Sequence, residues 1–112
     1  MNKDPQVFLK HILESINDIE QYTKSLTEKS FLQKKYMQDA VVRRIEIIGE
    51  AARNLPDELT IKYPDVPWKD IIGMRNKVIH HYFGVDIKVT WEVIQKDIPV
   101  LKEKIKKIVE NM

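Results

Sequence analysis

Trp68-Lys69-Asp70-Ile71-Ile72-Gly73-Met74-Arg75-Asn76-Lys77-Val78-Ile79-His80-His81-Tyr82-Phe83-Gly84 is the stretch on which the fold of this chain turns. Wound at ~100° per residue, Ile71, Met74, Val78 and Tyr82 fall on one stripe, the spacing of a surface turned toward a core. The spacing predicts one helix ending at Phe83, with Gly84 just past its end. Arg75 sits on the margin of the stripe, where a guanidinium is costly unless it is paired or reaches an anion. Gly73, Asn76 and His80 form a second line on roughly the opposite face. Gly73 costs such a helix about 1 kcal/mol relative to Ala, and a glycine in mid-helix marks a place where another backbone comes close. The helix is expected to have two committed faces, one for its own core and one for a partner or ligand.

Upstream, helical spacing continues. Asp4-Pro5 is a helix start, an N-cap acceptor followed by a residue with preset φ. Behind it Phe8 or Leu9, Ile12 or Leu13, Ile16, Ile19 and Tyr22 or Thr23 keep the period. Thr27 before Glu28 restarts the pattern, which Leu32, Tyr36, Ala40, Val41 or Ile45, Ile48, Ala52 and Leu55 carry to Pro56, a helix of about seven turns. Its middle is apolar over more than one stripe, so it should touch more than one neighbour. Gly49, Ala51 and Ala52 would let another helix approach closely. Arg43, Arg44, Glu46, Glu50 and Arg53 read first as a solvated lattice of ion pairs. The sharper reading sets Arg43, Arg44 or Glu50 beside Arg75 and His80.

Pro56, Pro64 and Pro67 bracket a short helical turn, and Trp68 reads as an anchor of that connection in the core rather than a base-stacking platform. Downstream, Asp86 caps a final helix carrying Val89, Val93, Ile94, Ile98, Leu101, Ile105, Ile108 and Val109. Pro99 inside it should kink or split it. Its Lys-rich end suits a helix C-terminus. No strand-like alternation persists.

Composition bounds the class. With 112 residues and 43% hydrophobic content the chain fits one domain, residues 1–112. A formal net charge of +2 argues against a polyanion-coating protein, though local patches can still bind nucleic acid. The absence of Cys removes disulfides and thiolate chemistry and suits a reducing cytoplasm. Neither a secretory signal nor an apolar run long enough for the membrane is visible. The histidines and carboxylates show no ligand spacing, so neither metal nor cofactor is expected. No serine sits in a nucleophile turn and no glycine-rich loop could cradle a nucleotide.

Arg75, His80 and Tyr82, in the spacing Arg-x4-His-x-Tyr, resemble the motif of the HepT-like HEPN ribonuclease toxins. The flanks Trp68…Ile72-Gly73-Met74-Arg75-Asn76 and the segment Arg43-Arg44-Ile45-Glu46-Ile47-Ile48-Gly49-Glu50-Ala51 are similar to that family as well. Pattern and resemblance together give an all-α chain, an antiparallel bundle of four to five helices, HEPN-like. The resemblance implies a dimer formed through the motif helix and metal-independent endoribonuclease activity, with Arg75 and His80 catalytic and Asn76 assisting. It further implies the toxin half of a toxin–antitoxin pair, silenced when an MntA-like nucleotidyltransferase antitoxin adds AMP to Tyr82, in a homodimer or a larger complex with that antitoxin.

The residues suit such chemistry. RNA supplies its own nucleophile in the 2′-hydroxyl, so a protein needs a proton acceptor, a proton donor and a cation for the phosphorane. Histidine titrates close to working pH, and arginine can hold two phosphate oxygens in a fork. In one regular helix Arg75 and His80 lie ~140° apart and about 7–8 Å along the axis. They would meet only if two copies packed around Gly73 and Asn76. Tyr82 reads as a packing residue as well as a modification site, and the motif selects His80 over His81. An alternative class is a non-catalytic, nucleotide-binding helical partner subunit of a nucleotidyltransferase. A plain dimeric bundle with an incidental Arg and His is the third.

Overall fold

The computed structural model of the chain describes residues 4–80 and 84–112, His80 by its backbone alone. Helix α1, Pro5–Thr23, starts as the sequence predicts: Pro5 occupies the first turn and the Asp4 carboxylate accepts the Gln6 N–H at 2.9 Å. Its open choices resolve to Leu9, Ile12, Ile16, Ile19 and Thr23, all buried. Thr27 and Ser30 exchange side-chain and backbone hydrogen bonds in a capping box that starts α2, Glu28–Leu32. Helix α3, Lys35–Arg53, packs along α1 and carries Val41, Val42, Ile45 and Ile48 into the core. The proline-bracketed turn forms α4, Asp57–Lys62, and Trp68 closes the connection by donating its indole N–H to the Tyr63 carbonyl at 3.1 Å.

The expected seven-turn helix is in fact two. It breaks at Gln33-Lys34, without glycine or proline, because the buried Gln38 side chain donates to the Phe31 and Leu32 carbonyls at 2.8 and 3.2 Å. A side chain from the next helix thus takes carbonyls at the end of the first. The break moves the apolar register. Phe31 is fully buried and tilts against the Trp91 ring at 5.3 Å, while Leu32 and Tyr36 face outward.

The central stretch also departs from a single helix. Helix α5, Trp68–Ile72, and helix α6, Met74–Val78, meet at Gly73, whose φ of −84° uses none of a glycine's special freedom. A Cβ on Gly73 would lie 3.3 Å from the Lys69 carbonyl of its own helix, and among the described residues of the chain no second element's backbone approaches it within 4 Å. The close approach occurs at Gly49 instead, where a Cβ would meet the Ile72 and Ile71 carbonyls at 3.3 and 3.5 Å. After Val78 the chain turns extended. Strand β1, Ile79–His80, pairs antiparallel with β2, Gly84–Val85, in the register Ile79↔Val85 and His80↔Gly84. Asp86 N–H reaches the Val78 carbonyl at 2.7 Å, and the β-branched pair Val78-Ile79 suits the change to strand. Gly84 is therefore a strand residue, with φ +74°, and not the C′ residue of a helix. The stripe survives the corrections: Ile71, Met74 and Val78 are buried, and Tyr82 lies outside the described residues.

The Asp86 carboxylate caps α7, Ile87–Glu92, by accepting from Val89 N–H at 3.1 Å. A wide π turn over Val93–Asp97 leads into α8, Ile98–Glu110, with Pro99 in its first turn. Proline has no N–H to give the residue four back, and the wider turn absorbs the mismatch without ending the helical path. Helix α8 returns along α1 and buries Leu101, Ile105 and Ile108. The result is an all-α helical bundle with, among the described residues, one two-residue ladder beside α6.

Candidate active site around Arg75

Helix α6 is short and two-sided. Met74 and Val78 are its buried ends, and Arg75, Asn76 and Lys77 are its exposed middle. Arg75 leans toward α3, where its Nε donates to Glu46 Oε2 at 2.9 Å across 29 residues of sequence. Lys77 leans the other way, 3.4 Å from Asp97 at the end of the π turn. Asn76 lies between them, its side chain without a partner among the described residues.

The Arg75–Glu46 side chains are 50% and 30% exposed. A pair so wet contributes about 0–1 kcal/mol to stability, so its consequence is geometric. Glu46 engages the Nε edge of the guanidinium, and among the described residues the two terminal nitrogens have no partner. The fork suited to a phosphate is the edge left over.

Of the charged residues of α3, then, Glu46 reaches Arg75, and Arg43, Arg44 and Glu50 do not. Arg44 lies 3.4 Å from Asp18 of α1, and Glu50 pairs with Arg53 at 3.4 Å on an exposed surface. Sequence reasoning placed Glu46 only in the ion-pair lattice. A signal was available: Gly49 marks the face of α3 that meets α5, and Glu46 is three residues earlier on that face.

His80 leaves helical geometry altogether. Its backbone pairs with Gly84 in the ladder, so the ~140° separation from Arg75 and the line Gly73–Asn76–His80 do not apply. The dimer inferred from that separation loses that ground. The His80 side chain, His81 and Tyr82 lie outside the described residues. Among the described residues no three His, Asp or Glu side chains gather as a metal site requires, and no helix is long and apolar enough to cross a membrane.

A family model described as "Ribonuclease HepT-like" matches residues 12–108. The chain is 57% identical over its whole length to a Methanocaldococcus jannaschii protein named "Gamma-glutamylcyclotransferase and putative RNase", of which it spans 50%. It is 42% identical to "Probable ribonuclease HepT" of Thermococcus cleftensis, over 96% of this chain and 98% of that one. A Caldanaerobacter subterraneus protein named "Putative RNase" is 43% identical, over 97% of each. No solved structure matches the chain.

Proposed function

The chain belongs to the HepT-like ribonuclease family, and from that premise we propose that it is a metal-independent endoribonuclease acting through Arg75 and His80. The observation that carries the reading is the presentation of Arg75. Its guanidinium is exposed on α6, held at Nε by Glu46, and has both terminal nitrogens free among the described residues. That is the disposition of a group that takes up two oxygens of a phosphate and balances the charge that grows on them during cleavage.

In the proposed reaction the 2′-oxygen of the RNA attacks the adjacent phosphorus as its proton passes to a neutral His80 imidazole. The bond from phosphorus to the 5′-oxygen breaks, a protonated imidazole gives that oxygen its proton, and a 2′,3′-cyclic phosphate remains. One base and one acid are needed in a turnover. A two-fold pair of subunits supplies two His80 imidazoles, which replaces helical separation as the physical argument for a homodimer. Asn76, exposed beside Arg75, assists by hydrogen bonding to the phosphate or ribose. DNA lacks the 2′-hydroxyl and is not cut.

Family membership also supports a toxin held in check by a nucleotidyltransferase antitoxin that adds AMP to Tyr82. The added phosphate would then compete for Arg75. Purified protein with excess chelator should cut RNA and leave DNA intact. Folded Arg75→Ala and His80→Ala variants should lose about two orders of magnitude or more, the range of acid–base and electrostatic contributions. Undiminished cleavage by either variant rejects the assignment of that residue. Intact mass after co-expression with the antitoxin tests Tyr82, whose Phe variant should carry no added adenylate.

A further inference from the structure

Helix α6 has a second side that the proposed chemistry does not use. Behind Lys77, an open cleft of about 510 Å³ runs between α5–α6 and the joint where the π turn enters α8. Four lysines line it, Lys69, Lys77, Lys96 and Lys104, against two carboxylates, Asp70 and Asp97. Counting Asp65, which pairs with Lys104 from beside the lining, the local balance is one positive charge in excess. Two of the lysines are tied down: Lys77 lies 3.4 Å from Asp97, and Lys104 lies 3.5 Å from the Asp65 carboxylate while donating to the Asp65 carbonyl at 2.9 Å. Lys69 and Lys96 are exposed and make no ion pair among the described residues.

We propose that this cleft anchors the RNA strand through phosphates flanking the one that is cut. The proposal rests on the ribonuclease reading above and adds to it a second contact surface. Continuity supports it. Arg75, Asn76 and Lys77 are consecutive exposed residues of one short helix. Arg75 points to the α3 side and Lys77 to the cleft, ~200° apart around the axis with the exposed Asn76 between them. A strand lying across α6 therefore passes from the guanidinium into the lysines. The chemistry fits a backbone rather than particular bases: ammonium groups act as point charges toward phosphate, and the lining holds no aromatic ring for stacking.

The test uses the full chain with His80→Ala, which keeps RNA intact while binding is followed by fluorescence anisotropy of a single-stranded oligonucleotide. Adding Lys69→Glu and Lys96→Glu should weaken binding about tenfold or more. It should also flatten the dependence of log affinity on log salt by roughly 0.7 for each phosphate that the variant no longer neutralises. Reversing Lys10 of α1 and Lys24 just past its end, which changes net charge equally outside the cleft, should leave affinity within about twofold. In the catalytically intact chain, Lys69→Glu with Lys96→Glu should slow cleavage of the oligonucleotide and spare a dinucleotide too short to reach the cleft. Equal weakening by the two lysine pairs would overturn the cleft in favour of a diffuse charge effect. Unchanged affinity would also overturn it, and leave the ribonuclease reading standing if the wild-type chain still cuts RNA. A variant that binds RNA normally but no longer binds an acidic protein partner assigns the cleft to that partner instead. Failure of wild type to bind or cut RNA would instead sink the underlying reading.

Discussion

Glu46 holds Arg75 by the edge that a phosphate does not need. The 2.9 Å bond runs from Nε, joins the middle of α3 to α6, and leaves the guanidinium fork pointing away from its carboxylate. Arginine rather than lysine suits this arrangement, because a planar group can be gripped on one edge and still bind on another.

Glu46→Ala should therefore cost activity and not the fold. We expect kcat/KM for RNA cleavage to fall about tenfold to a hundredfold, the scale of a catalytic group displaced by an ångström. The melting temperature should barely move, since an exposed pair is worth about 0–1 kcal/mol. Glu46→Gln keeps an oxygen acceptor in place and should fall between Ala and wild type. Faster cleavage by Glu46→Ala would mean that the carboxylate competes with the phosphate.

Gly49 should resist the smallest possible side chain. In an open helix Gly→Ala gains about 1 kcal/mol, but here the added Cβ meets backbone carbonyls of Ile72 and Ile71 at 3.3 and 3.5 Å. The backbone at the end of α5 would have to give by a few tenths of an ångström, and overpacking costs about 1–3 kcal/mol. Denaturant unfolding of Gly49→Ala should show a net loss of stability of up to about 2 kcal/mol after the propensity gain is offset. Because α6 continues from α5 through Gly73, RNA cleavage should fall as well. A gain in stability would show that α5 yields freely.

What the sequence made legible follows from which signals are local. The Asp4-Pro5 start, the Thr27 restart, the Asp86 cap and the interruption at Pro99 each depend on a residue and its immediate neighbours, and all four appear in the structure. The stripe Ile71, Met74, Val78 was readable because burial repeats at helical spacing even across the joint at Gly73. Both misread helices end through partners distant in sequence or through strand pairing. Gln38 removes two carbonyls from α2, and the Val78 carbonyl goes to the Asp86 N–H. The Arg75–Glu46 pair, 29 residues apart, was hidden for the same reason.

Gln38 accordingly should matter more than its surface-like chemistry suggests. Gln38→Leu keeps much of the volume but removes the side-chain donor from the Phe31 and Leu32 carbonyls, leaving Phe31 only the Lys34 N–H at 3.2 Å. Losing one such hydrogen bond while a second partner remains costs about 0.5–1.5 kcal/mol. Chemical denaturation should report that loss with an unchanged m-value. Amide exchange should quicken first in α2, Glu28–Leu32, the segment tied down by this side chain. A neutral variant would mean that water or a longer α3 replaces the bond.

Gly84 offers a cleaner backbone experiment beside the candidate site. Its φ of +74° is one that L side chains rarely adopt, yet among the described residues a Cβ there would meet nothing within 4 Å. The backbone conformation alone should make Gly84→Ala cost about 1–2 kcal/mol, the usual difference for a left-handed residue. Asn tolerates that region better, so Gly84→Asn should recover part of the loss. Gly84 pairs with His80, and so strain here is relieved most directly by shifting the ladder that carries the proposed base. Cleavage should then fall further in Gly84→Ala than in Gly84→Asn, in the order of their stabilities. Equal stability of Ala, Asn and Gly at this position would show that the turn relaxes to a negative φ and that His80 does not depend on the ladder for its place.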